Sequence, residues 1–247
     1  MIVLDIAGNE LRRLFGAPLA WVILAVVQFL LAIFFFVMLS QFMQPALPGG
    51  PGLSATVVAG IMQIAGIVLL LVAPFLTMRL FSDEQRAGTM PLLLSSPVTL
   101  TELVLGKYLG ILGFLGCMLV MILLMPASLL FGTHLDLGQF GAGVLAMALL
   151  MASFAAIGLF MSTLTRQPAV AAISTFGVVF VLWIIHIAGS TGAERAAPVF
   201  AYLSLLKHYN SLLDGAFSSV DVIYYVILIV TFLMLSVWRL DAMRGHH

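Results

Sequence analysis

The side chains able to bind a metal or move protons are few and scattered. His134, Asp136, His208 and Asp214 come nearest to a constellation, but no metal-ligand or acid–base spacing links them. They read as solvated loop residues. H-E-x-x-H, C-x-x-C and G-x-S-x-G are absent from the sequence. So is G-x-x-x-x-G-K-[ST], the loop that cradles ATP phosphates, which places any ATP chemistry on another polypeptide. The single cysteine, Cys117, lies in an apolar run and reads as a small hydrophobic filler, with no partner for a disulfide within the chain. The terminal His246 and His247 are assigned no metal role.

The surroundings of these residues explain their scarcity. Of 247 residues, 63% are hydrophobic and 8% charged, with a mean hydropathy of +1.21. A soluble domain carries about a quarter charged residues, and without them it cannot clothe its surface. The formal net charge of +0 argues against a nucleic-acid partner. Apolar stretches at 18–39, 57–80, 103–124, 139–161, 169–188 and 222–237 are each of a length to cross ~30 Å of hydrocarbon as helices. The expected fold is therefore an all-α integral membrane protein with six transmembrane helices.

The chain divides accordingly into three parts. Residues 1–17 precede the spans, 18–238 form the transmembrane domain, and 239–247 form a tail. Val3, Ile6, Ala7, Leu11, Leu14 and Phe15 recur at helical spacing, with Asp5, Asn9, Glu10, Arg12 and Arg13 largely between them. That pattern predicts an amphipathic helix along the inner interface, its arginines near lipid phosphates. The first apolar stretch is expected to be a true span and not a signal peptide. A polar, mixed-charge segment precedes it, and no small-residue cleavage site follows closely. Of the 10 Lys and Arg residues, only Arg195 and Lys207 fall outside if the N-terminus is inside. The basic-residue bias thus puts both termini in the cytoplasm of an inner-membrane protein.

Within the spans, the interior polar candidates for a translocation path are Gln28 and Gln63. Arg79, Lys107 and His186 sit near span ends, where long side chains snorkel to the interface. Nothing in the span centres offers an ion the ligands that proton or sodium coupling requires. Small residues are ordered into faces. Gly106, Gly110, Gly113 and Cys117 share one side of the third span, and Ala148, Ala152 and Ala156 repeat every fourth residue in the fourth. Such faces let helices approach closely in lipid, within a bundle or between two chains.

The segment 81–102 is the most informative. Ser82 with Gln85 fits a capping box, Gly88 ends that turn, and Thr89 caps a new one with Pro91 in its first turn. Leu92, Leu93 and Leu94 follow as an apolar knob, stopped before Pro97, and Thr99 with Glu102 forms a second capping box. An apolar knob between capped, charged helices suits docking into a groove on a soluble partner. Glu84, just before it, offers a carboxylate to a basic residue of that partner.

The run Glu84, Gly88-Thr89, Leu92-Leu93-Leu94, Pro97, Gly106-Lys107 resembles the loop between the second and third spans of ABC-2 type permeases, most closely the gliding-motility-associated permeases. The amphipathic start with Glu10-Leu-Arg-Arg13 extends the likeness. Pro91 stands where that family often has an acidic residue. The resemblance implies that 81–102 is the coupling segment that sits on an ATP-binding subunit. It further implies a second permease chain, identical or different, and short re-entrant helices within 189–221 at the outer leaflet. The chain itself would hold no cofactor, with ATP and Mg on the partner ATPase, and a periplasmic auxiliary subunit is a further expected partner. The implied function is ATP-driven export or extraction of an amphiphilic or surface-destined substrate. The competing reading is a membrane anchor that recruits a partner without moving substrate. The orientation is tested by Arg86→Cys in a Cys117→Ser background. In intact cells this cysteine is expected to resist a membrane-impermeant maleimide, and rapid labelling from outside would overturn the topology.

Overall fold

Hydrocarbon offers no water to a bare N–H or C=O, so a chain this apolar must close its backbone bonds internally. The computed structural model describes residues 2–43, 54–94, 98–129, 136–190, 197–215 and 217–244, and among the described residues every regular element is helical. The elements are α1 (Ile2–Gly16), α2 (Pro18–Phe42), α3 (Ala59–Thr77), α4 (Ser82–Ala87), α5 (Met90–Leu94), α6 (Leu100–Ser128), α7 (Leu137–Leu164), α8 (Pro168–Ser190), α9 (Ala197–Leu203), α10 (Leu205–Leu213) and α11 (Ser219–Arg244). A π-helical turn, Ser54–Val58, leads into α3. Among the described residues six helices are long and apolar enough to cross a membrane, and they coincide with the six expected stretches. α6 runs past its expected end, through Pro126 to Ser128. α11 likewise continues to Arg244, because a helix need not stop where its apolar run does.

α7 is the hub. Two-thirds of its most apolar window is buried (67%), against 17% for peripheral α2. It packs on α3, α6, α8, α10 and α11, and Leu150, Phe154 and Ile157 on it are fully enclosed. Small residues set the approach distances. Gly158 of α7 receives Thr77 of α3 so closely that a Cβ there would overlap the threonine hydroxyl. That hydroxyl donates to the Ala73 carbonyl at 2.9 Å and so needs no partner across the contact. Ala156 is fully buried, while Ala148 and Ala152 are half-buried, and the Ala152 carbonyl accepts from Tyr108 of α6 at 3.1 Å.

The glycine face of α6 is covered by α1 of the same chain, not by a second chain. A Cβ on Gly106 would stand 2.7 Å from Ile6 Cβ, and one on Gly110 would stand 2.6 Å from Glu10 Cβ and 3.0 Å from the Ala7 carbonyl oxygen. Gly113 lies against Leu11, and Cys117 is exposed. α1 thus lays its apolar stripe along α6, ending where the rings of Phe15 and Phe114 meet at 5.1 Å. Its Glu10 is buried, contrary to its expected place on the polar face. Position 10 is four residues from Ile6 and from Leu14, so it falls within the stripe.

Gly110→Leu should therefore lower stability by about 1–3 kcal/mol through overpacking. Gly116→Leu is the control, since nothing lies within 4 Å of a Cβ there. Thermal unfolding in detergent, followed by tryptophan fluorescence, compares them; equal midpoints would mean that α1 is not seated on this face.

Candidate functional site

α4 and α5 stand between the second and third spanning helices. Ser82 does not cap α4 as expected. Phe81 is the N-cap residue, and the Ser82 hydroxyl instead donates to the Met78 carbonyl, one turn back. Gln85 is likewise diverted, donating through Nε2 to the Thr163 carbonyl at 2.8 Å and so fastening α4 to the end of α7. The helix closes at Gly88, whose φ of 70° is left-handed backbone that favours glycine. Thr89 then turns the chain, its backbone N–H and hydroxyl both donating to the Glu84 carbonyl at 3.1 and 3.3 Å.

α5 divides its apolar residues between two sides. Met90 is buried, Leu93 is half-buried against the core, and Leu92 points outward with 73% of its surface exposed. The side chain of Leu94 and the whole of Pro97 lie outside the described residues, as do 44–53, His134 and Arg195. α6 then begins with the expected capping box. Thr99 accepts from the Glu102 N–H, and the Glu102 carboxylate accepts the Thr99 N–H at 2.9 Å.

Beneath α4 lies a charge cluster that hydropathy reasoning misses. Lys107 does not snorkel; only 3% of it is exposed. Its Nζ donates to Glu84 Oε1 at 2.5 Å, to the Leu80 carbonyl at 2.6 Å and to Glu10 Oε2 at 3.5 Å, and stands 4.9 Å over the Phe81 ring. Arg13 completes the set, donating to Glu10 Oε1 at 2.6 Å and to the Arg79 carbonyl at 3.3 Å. Two carboxylates thus balance two cations at the junction of α1, α4 and α6. Glu84 is engaged within the chain, although its Oε2 is buried with no hydrogen-bond partner among the described residues. The usable signal in the sequence was Glu10 inside an apolar stripe, a carboxylate that demands a buried partner.

The opposite end is built from aromatic residues. α10 inserts among α3, α7, α8 and α11, and fully buried Tyr209 donates to the Met62 carbonyl at 2.6 Å beside Gly66. His208, expected to be solvated, is buried. Its Nδ1 faces Asp221 Oδ1 at 2.6 Å, its Nε2 faces the Tyr202 carbonyl at 2.8 Å, and Tyr224 stacks on the ring at 4.2 Å. Both ring nitrogens face oxygen atoms, which fixes the orientation of the ring. Asp136 caps α7, and Asp214 is exposed. Gln28 donates to the Met121 carbonyl at 3.0 Å, joining α2 to α6, whereas Gln63 lies exposed on α3. Among the described residues no group of His, Cys, Asp or Glu is placed to hold a metal ion.

Six helices fit to span a membrane, a tightly seated N-terminal helix and a short helix closed by Gly88 between the second and third spans describe a multi-pass helical membrane protein. A family model described as ABC-2 family transporter protein matches residues 4–244, and the chain belongs to that family. It is thereby a transmembrane permease subunit of an ABC transporter, not itself catalytic, in a family that works with an ATP-binding partner in a dimeric arrangement. No protein of curated function matches the sequence.

The charge cluster yields its own test. Lys107→Met leaves Arg13 with Glu10 but strips part-buried Glu84 of its close cation, and should cost about 3–5 kcal/mol. Adding Glu84→Gln removes the uncompensated charge and should restore most of that loss. Denaturant unfolding measures both, and a double variant as unstable as Lys107→Met would dismiss the charge balance as the cause.

Proposed function

We propose that this chain is the membrane half of an ATP-driven exporter or extractor, with segment 81–102 as the element that receives motion from a separate ATPase subunit. The observation that carries the reading is the exposure of Leu92 on a helix whose base is fixed: Gly88 and Thr89 close α4 below it, and Gln85 and Glu84 tie α4 to α7 and α6. An exposed leucine on a stiff platform suits a groove on a soluble partner. ATP and Mg would be held by that partner. The basic-residue bias supports an inner-membrane orientation with both termini and α4–α5 in the cytoplasm.

Two permease chains, identical or different, would match two nucleotide sites. α9 and α10 would lie at the outer leaflet, where a periplasmic subunit could reach them. The substrate would be an amphiphilic or surface-destined molecule, and the gliding-motility-associated permeases are the proposed subfamily. Closure of the ATPase subunits would press α5 and rock the bundle between two arrangements.

Leu92→Asp is the sharpest test, because an exposed residue can be charged without disturbing the fold. Burying a leucine contributes about 1.5–3 kcal/mol, so docking should weaken roughly tenfold or more. The variant should insert and melt like the wild type, yet co-purify poorly with its ATP-binding partner and fail to stimulate hydrolysis. Full ATPase binding and stimulation would remove α5 as the coupling element and favour an anchoring role. Leu93→Asp discriminates less well, since Leu93 also packs against the core.

A further inference from the structure

Between α3 and α8, at the end that carries α4, lies an open cleft of about 1090 Å³. Its two halves differ in chemistry. At one end stand Arg79 after α3, Arg86 on α4 and Arg166 in the link from α7 to α8. Away from them the walls are apolar, formed by Leu71 and Phe75 of α3 and Ile173 and Phe176 of α8. Leu71 precedes Arg79 by two turns of helix, so the change from charge to hydrocarbon spans ~12 Å. Leu71, Phe75 and Ile173 each leave half or more of their surface exposed (51%, 53% and 73%).

The charge on this cleft is uncompensated. No carboxylate lines it, and none of the three guanidinium groups makes an ion pair among the described residues. Asp83 lines a smaller neighbouring cleft with Arg13 and Arg79 and pairs with neither. A topological signal needs only positive charge on one side of the membrane. It does not require three cations from separate elements to converge on one concavity, where like charges repel and the field favours an anion. Arginine also fits phosphate oxygens with paired N–H donors.

We propose that this cleft binds an anionic amphiphile, its phosphate head group held by Arg79, Arg86 and Arg166 and its acyl chain lying along Leu71, Phe75, Ile173 and Phe176. This deepens the permease reading and rests on it for physiological meaning, by giving the substrate or a resident lipid a charge and a place. Binding itself is measured apart from transport. A second copy of the chain is the rival occupant, because the same walls are open to another helix.

Native mass spectrometry of the full chain in detergent tests it with dioleoyl phosphatidylglycerol, dioleoyl phosphatidylcholine and inorganic phosphate as probes. Both lipids carry the phosphate diester, but only the zwitterionic one adds a cation that three arginines repel, so the anionic lipid should bind roughly tenfold more tightly or better. Changing Arg79, Arg86 and Arg166 together to Gln should abolish that preference, and changing them to Lys should retain most of it. Arg12→Gln with Arg244→Gln should leave it intact. Equal binding of the two lipids, or equal loss in the control, overturns the site. Displacement of phosphatidylglycerol by equimolar inorganic phosphate overturns the acyl half. A triple Gln variant that alters the dimer fraction but not the lipid ratio assigns the cleft to a second copy. Leu92→Asp should bind lipid like the wild type. Lost coupling with intact lipid binding therefore strikes only the role of α5, and lost lipid preference with intact coupling strikes only this cleft.

Discussion

A buried ammonium group is the constraint around which one end of this protein is arranged. Lys107 lies in the second turn of α6 with almost no access to water. Removing a charge from water costs several kcal/mol unless partners replace the hydration. The replacements come from three directions: Glu10 on α1, Glu84 on α4, and the Leu80 carbonyl between α3 and α4. Each partner fixes the element that carries it. The glycines of α6 follow from the same requirement, because Gly106 and Gly110 flank Lys107 and let α1 come close enough to deliver Glu10. The glycine stripe and the ion pairs are thus two parts of one device: close backbone approach makes the charges meet, and the charges hold the approach.

The other end meets the demands of the membrane by different means. α9 ends at Leu203, whose carbonyl has no partner further along its own helix, and an unsatisfied backbone group is costly away from water. Tyrosine hydroxyls of α11 serve both short helices: Tyr224 donates to that Leu203 carbonyl at 2.7 Å, and Tyr225 to the Leu205 carbonyl in the first turn of α10 at 3.0 Å. Tyr209 performs the reverse service, reaching from α10 to α3. Aromatic residues bring a large apolar body and a single polar tip, so they fill the space between helices while satisfying backbone. His208, paired with Asp221, is likewise enclosed by the rings of Tyr202 and Tyr224.

Features governed by local chemistry are legible in the amino-acid sequence. The six spans follow from apolar length, the start of α6 from Thr99 and Glu102, and the end of α4 from Gly88. Contacts between distant residues are not. Lys107 and Glu10 are 97 residues apart, and hydropathy treats each as an isolated charge near a boundary. The expected capping box at Ser82 and Gln85 fails in part for this reason. Gln85 is drawn off by the Thr163 carbonyl, 78 residues away on α7, whereas Ser82 is lost to a local competitor, the Met78 carbonyl one turn back. The apolar trio of α5 reads as one knob because sequence carries no azimuth for so short a helix, and packing then turns Met90 and Leu93 inward and leaves Leu92 outside.

On the proposed reading, this anchoring determines where a push on α5 would go. α5 joins α4 through Gly88, where left-handed backbone allows a sharp turn without a side chain in the way. From α4 the load has two routes. Glu84 carries it through Lys107 to α6 and, with Glu10, to α1; Gln85 carries it to the end of α7. α7 is the most enclosed helix, touching nearly every other span, so displacement at Thr163 is shared across the bundle and not absorbed at its edge. Charge-assisted contacts are stiffer and more directional than apolar ones. Apolar packing alone would let α4 slide over α6, whereas the ion pairs oblige α1, α4 and the lower part of α6 to move as one body. The open cleft between α3 and α8 borders that body through Arg79 and Arg86, so a motion of α4 would alter the spacing of its arginines.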